Sequence, residues 1–165
     1  MNVTWQDIVE ALRTEAAEGG RLLGLFDEQQ KMLFQRQPET VLELGRAIQR
    51  QTEVLNGLRG ERQRTVAAFA TDQGQPPAAT LRSLLGLMPA DARPLVEALI
   101  GEVNHLIHRL RRSARLNHRL LACMVECHQE VLRRLRPDAF TKTYSPTGRV
   151  SVAGLRPMPS IQTAG

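Results

Sequence analysis

At 165 residues the chain has room for one domain and barely for two. Hydrophobic residues at 42% allow a core, but aromatics at 4% are too few to fill a compact globule, so Leu, Ala, Val and Ile must be buried along thin seams between helices. The formal charge of +5 is uneven: residues 1–72 carry 9 basic and 11 acidic side chains, residues 73–136 carry 10 and 5, and residues 137–165 carry 3 and 1.

The first 15 residues, MNVTWQDIVEALRTE, have acids where a signal peptide has a positive region and an apolar run. No stretch reaches the ~18–20 apolar residues of a membrane span. The two cysteines, Cys123 and Cys127, make no disulfide framework and suit a reducing compartment. A cytoplasmic location is the expectation.

Thr4 predicts an N-cap before Trp5, with Asp7 in the acidic first turn. From there Val9, Leu12, Ala16, Gly19, Leu23, Phe26, Gln30 and Leu33 keep a 3–4 spacing, a heptad seam interrupted at Gly19–Gly20. Gln37–Pro38 turns the chain, because a residue before proline avoids the α region and proline suits the first helical position. A second seam runs Val41, Leu44, Ile48, Gln51, Leu55, Leu58, Arg62, Thr65 and Phe69. Thr71–Ala79 is a loop by composition. Thr80 caps a short helix over 81–87, ended by Pro89, and Asp91 is the next N-cap. The spacing resumes at Val96, Leu99, Val103, Leu106, Leu110, Ser113, Asn117, Leu120 and Met124. It then slips by one residue to Val125, His128, Leu132 and Leu135, as an uncorrected 3.6 period requires.

Arg136–Pro137 closes this helix, and residues 137–165 hold four prolines and no apolar period. Ser145–Gly148 fits a type I turn between Thr143–Tyr144 and Arg149–Val152. The expected fold is therefore all-α: an elongated antiparallel helical bundle or hairpin with long coiled-coil-like helices and a flexible C-terminal tail. The bundle occupies 1–136, with helices about 5–36, 38–71, 81–87 and 92–136, and the tail occupies 137–165.

Catalytic and metal chemistry find little support. His105 and His108 share a helical face, as do Cys123 and Cys127, but His108 and Cys123 are ~22 Å apart along one helix and cannot share an ion. Buried apolar cysteines and half-exposed histidines are the plainer reading. Cys127 and His128 point about 100° apart, a poor nucleophile–base pair, and no glycine-rich phosphate loop, GxSxG or HExxH occurs. No catalytic residue, metal, cofactor or small-molecule substrate is expected, and the chain reads as a non-enzyme.

Arg109, Arg111, Arg112, Arg115 and Arg119 form an acid-free basic run able to track phosphates. Without interleaved aromatics it is more simply a solvated face, or a partner for the acidic first half, which disfavours nucleic acid. The stronger signal is apolar. Leu116, Leu120, Leu121, Met124, Val125, Val131, Leu132 and Leu135 cover much of the circumference of residues 116–136. Such a helix wants a partner beyond its own bundle. That partner is either another protein's amphipathic helix or a second copy, which would make the chain a homodimeric coiled-coil adaptor or regulator.

The run LNHRLLACMVECHQEVLRRLRP (116–137), followed by TYSPTGRVSV (143–152), resembles the C-terminal region of the FlgN-type flagellar export chaperones. The N-terminal half, with Leu22–Leu23 and DEQQKML (27–33), is similar in kind. The resemblance implies a helical bundle that chaperones the two hook–filament junction proteins, hook-associated proteins 1 and 3, by their C-terminal amphipathic helices. The resemblance further implies that such a chaperone prevents their premature assembly and delivers them to the flagellar type III export gate. It places client binding on Leu116, Leu120, Leu121, Met124, Val125, Leu132 and Leu135, and docking to the gate's cytoplasmic domain on Tyr144. It implies no membrane insertion, and leaves a weak homodimer open.

Overall fold

The computed structural model describes residues 3–135, 142–144 and 150–152. Four helices come first: α1 (Trp5–Phe34), α2 (Pro38–Asp72), α3 (Leu81–Leu84, continued by a 3-10 turn over Leu85–Leu87) and α4 (Arg93–Leu135). Their ends fall within two residues of those expected. The strands β1 (Lys142–Tyr144) and β2 (Val150–Val152) follow. The chain divides into two compact units, Met1–Leu120 and Leu121–Gly165. Among the described residues no helix is long and apolar enough to cross a membrane.

In the first unit α1, α2 and α4 form an all-α bundle. The α1–α2 connection is only three residues long. Its geometry is a helix-ending motif in which the Gln37 amide donates to the Met32 carbonyl (3.1 Å) and the Arg36 amide to the Leu33 carbonyl (3.2 Å). Arg36 takes a positive φ of 55° to close it. So tight a turn makes α1 and α2 antiparallel. The longer link through α3 lets α4 return parallel to α1, so only consecutive long helices are antiparallel.

The core follows from this up-down-up order. At one end Ile8, Val9 and Leu12 of α1 meet Val66, Phe69 and Ala70 of α2 and Val96, Leu99 and Val103 of α4. Leu84 and Met88, 1% and 2% exposed, plug this end, so the α3 segment packs on the bundle. Its N-cap is Thr80, whose hydroxyl accepts from the Ser83 amide, as the sequence predicts. Further along, Leu22, Leu23, Phe26 and Leu110 cluster with Ile48 and Leu55. Helix α4 begins at Arg93 rather than directly after Asp91, its first turn closed by the Val96 amide on the Ala92 carbonyl (3.1 Å).

Helix α1 carries more than the one expected seam. A second row, Ile8, Glu15, Leu22 and Gln29, repeats every seven residues and is buried throughout. Its polar members bind α2: Arg62 Nε donates to Glu15 Oε2, and Gln29 Nε2 donates to the Val41 carbonyl (3.3 Å). Gly19 lies on the first row, where an added Cβ would sit 3.8 Å from Leu106 and 3.9 Å from Leu110. The helix is thus buried on two sides because it lies between two partners.

In the second unit, β1 and β2 pair as a two-stranded antiparallel sheet with Lys142 opposite Val152, Thr143 opposite Ser151 and Tyr144 opposite Val150. The expected tail therefore contains regular structure flanking the turn read at Ser145–Gly148. That turn, Arg136 and the rest of the tail lie outside the described residues.

Candidate binding face of the final helix

Burial along α4 changes abruptly. In the first unit Val96, Leu99, Val103, Leu110 and Asn117 are buried. Asn117, 2% exposed, is the last of them and is held on every polar atom. Its Nδ2 donates to the Phe26 carbonyl (3.1 Å) and to Gln29 Oε1 (2.8 Å), while its Oδ1 accepts from Gln30 Nε2 (2.6 Å). Burying an amide without such partners costs about 1–3 kcal/mol, so this network fixes the register of α4 against α1. In the sequence the asparagine stands out as a member of the seam and of the LNHRLL run that carries the family resemblance. Its partners do not, because they lie 87 to 91 residues away.

Beyond Asn117 no residue of α4 is buried. In the first unit Leu116 is 45% exposed and Leu120 is half-buried. In the second unit Leu121 and Met124 are half-buried, while Val125, Leu132 and Leu135 are 55%, 51% and 73% exposed. Val131, outside the set that the family resemblance marks for client binding, is 55% exposed and belongs with them. At ~100° per residue, Leu121, Met124, Val131, Leu132 and Leu135 fall within about 60° of the direction of Asn117 on the same helix. They follow that direction along α4, and Val131, Leu132 and Leu135 remain exposed among the described residues. Leu116 points about 100° away and does not join this stripe.

The flanks of the stripe are polar. Glu130 takes Arg133 and Arg134 as partners, and these guanidinium groups hold its carboxyl below the usual range. His128, about 20° from the Asn117 direction, lies within the stripe itself, its Nδ1 2.7 Å from the Met124 carbonyl one turn back. Both cysteines are free and exposed, which corrects the expectation of burial: one turn apart on α4, they sit to one side of the stripe. The Cys123 thiol is pushed up chiefly by its neighbour Cys127, because two thiolates so close repel. Of the two plainer readings of the Arg109–Arg119 run, the exposed arginines fit a solvated face, and pairing with the acidic first half is absent among the described residues. Arg21 pairs with Glu18 and Arg62 with Glu15, but none of the five arginines has a carboxylate partner.

The fold is thus an all-α bundle whose last helix leaves large apolar side chains exposed among the described residues. Residues 1–151 match the family described as FlgN protein, and the chain belongs to that family. It is a flagellar export chaperone in general terms, a binder of flagellar proteins. No curated protein and no solved structure matches the chain.

Proposed function

We propose that this chain is a cytoplasmic, non-enzymatic chaperone for the hook–filament junction proteins, hook-associated proteins 1 and 3. It covers their C-terminal amphipathic helices, prevents premature assembly and delivers them to the type III export gate. One observation carries the reading: Val131, Leu132 and Leu135 stay 51–73% exposed along one stripe of α4, with Val125, 55% exposed, beside it. Large aliphatic side chains aligned on one helical face and left in water favour a second helix by about 25 cal/mol per Å² of apolar surface removed from solvent. Met124 adapts the face to clients of differing shape. Tyr144, on β1, is the proposed contact with the gate's cytoplasmic domain.

The test is a pull-down of a junction protein by the Leu121→Asp/Val125→Asp variant. Capture should vanish while helical content by circular dichroism stays at the wild-type level; undiminished capture rejects the site. Tyr144→Ala should spare client capture and weaken gate binding, and equal gate affinity rejects that role. Sedimentation should show a monomer or weak dimer that forms a defined complex with client, whereas a tight dimer indifferent to client would favour the homodimeric adaptor.

A further inference from the structure

The side of α4 facing away from the bundle has a separate chemistry. Between Glu102 and Glu126 the helix carries no acid. Arg109, Arg111, Arg112, Arg115 and Arg119 are all exposed and lack carboxylate partners among the described residues. At ~100° per residue, Arg111, Arg112, Arg115 and Arg119 occupy a sector of about 100°, diametrically opposite Leu110 and Asn117. His105 and His108, also exposed, lie in or beside the same sector. Arg109 lies about 60° outside it.

We infer that this arginine stripe is a docking surface for an anionic phospholipid bilayer. Four guanidinium groups within a narrow sector of a straight helix can reach one plane together, and their planar forks match phosphate oxygens. A bilayer offers such oxygens continuously in a plane, so all four can bind at once. Docking is peripheral, since the apolar side of this part of α4 is committed to the bundle core at Val103 and Leu110, both buried. Nucleic acid fits less well. Single strands call for aromatic platforms, and none lies between His105 and Arg119. The span also offers no free amide to read adenine, since Asn117 is buried and fully bonded; arginine can contact guanine, which makes a DNA duplex the competing occupant that the experiment separates. Each arginine near an anionic surface contributes about fivefold to partitioning, so four give an enrichment of several hundredfold that salt weakens.

The experiment is co-sedimentation of the full chain with phosphatidylcholine vesicles, with and without about 30% phosphatidylglycerol, at low and high salt. Binding should require phosphatidylglycerol and fall at high salt. Arg112→Ala/Arg119→Ala should lower partitioning about 25-fold, and so should the independent pair Arg111→Ala/Arg115→Ala. The corresponding lysine pairs should stay within a fewfold of wild type, and circular dichroism should show every variant helical. Equal binding to neutral vesicles, no binding, or alanine pairs that bind like wild type would each overturn the assignment. Tighter, arginine-dependent binding to a DNA duplex than to vesicles would do so too, reassigning the stripe to nucleic acid.

Discussion

Arg36 and Gly74 occupy the same position in the same helix-ending motif. After α1 the Gln37 amide reaches Met32 and the Arg36 amide reaches Leu33; after α2 the Gln75 amide reaches Ala70 and the Gly74 amide reaches Thr71. Both residues are left-handed, with φ of 55° and 69°. Only glycine accepts that conformation without a clash at Cβ. Arg36→Gly should therefore stabilise the fold by about 0.5–1 kcal/mol, and Gly74→Ala should destabilise it by about 1 kcal/mol. Urea unfolding midpoints measure both; a midpoint lowered by Arg36→Gly would contradict the turn geometry.

Asn117 anchors α4 to α1 through Phe26, Gln29 and Gln30. Asn117→Leu leaves the Gln29 carbonyl oxygen without its donor inside the bundle and should cost about 1–3 kcal/mol. Asn117→Ala adds a cavity and should cost at least as much. Denaturant unfolding of the two variants decides; a leucine variant as stable as wild type would show that the network contributes nothing net.

Glu15 is 4% exposed and its partner Arg62 18%. Arg62→Met leaves a carboxylate in the interior without compensation and should destabilise by about 3 kcal/mol. Adding Glu15→Leu should recover most of that loss, because the pair's own net contribution is small. A double-mutant cycle on unfolding free energy reads the coupling, and strictly additive losses would refute it.

Asp7 is lowered from the usual 3.8, first by the Thr4 backbone amide it accepts from (2.7 Å) and then by the Thr4 hydroxyl (2.7 Å). A folded value below the unfolded one means the contribution is whole above the unfolded value and vanishes as pH falls through the folded one. Thermal midpoints of wild type and Asp7→Asn should therefore converge in acid and separate at neutral pH, with wild type higher. A gap that persists in acid would place the effect elsewhere.

Leu116 and Leu132 are similarly exposed, at 45% and 51%, but differ in phase. Leu132→Asp should reduce capture of a junction protein at least about tenfold, as loss of one buried leucine contact predicts. Leu116→Asp, pointing about 100° from the Asn117 direction, should change it less than about twofold. Matched titrations with a client C-terminal peptide check the contrast; equal losses would show that the face is not a stripe.

The helices were legible because their signals are local. Thr4 and Thr80 mark starts, Pro38 forces a break, and 3–4 spacing gives the period. The final helix is also legible past Asn117, since an excess of leucine and valine needs no neighbour to be visible. The second buried row of α1 was missed because Glu15 and Gln29 look like surface residues until Arg62 and Val41 are placed against them. The cysteines were misjudged because burial belongs to a position in the bundle rather than to a residue type. Leu116 was grouped with the stripe on hydrophobicity alone, although its direction separates it.

By itself the sequence determined the all-α class, the helix starts at Trp5, Pro38 and Leu81 and the presence of an apolar surplus near residue 130, because capping, proline sterics and a 3.6-residue period act within a few residues. The tertiary structure decided which surplus stays uncovered. Within the first unit, burial of α4 depends on where α1 and α2 lie beside it, and that placement is set by contacts such as Gln30 with Asn117, 87 residues apart, which no local pattern encodes.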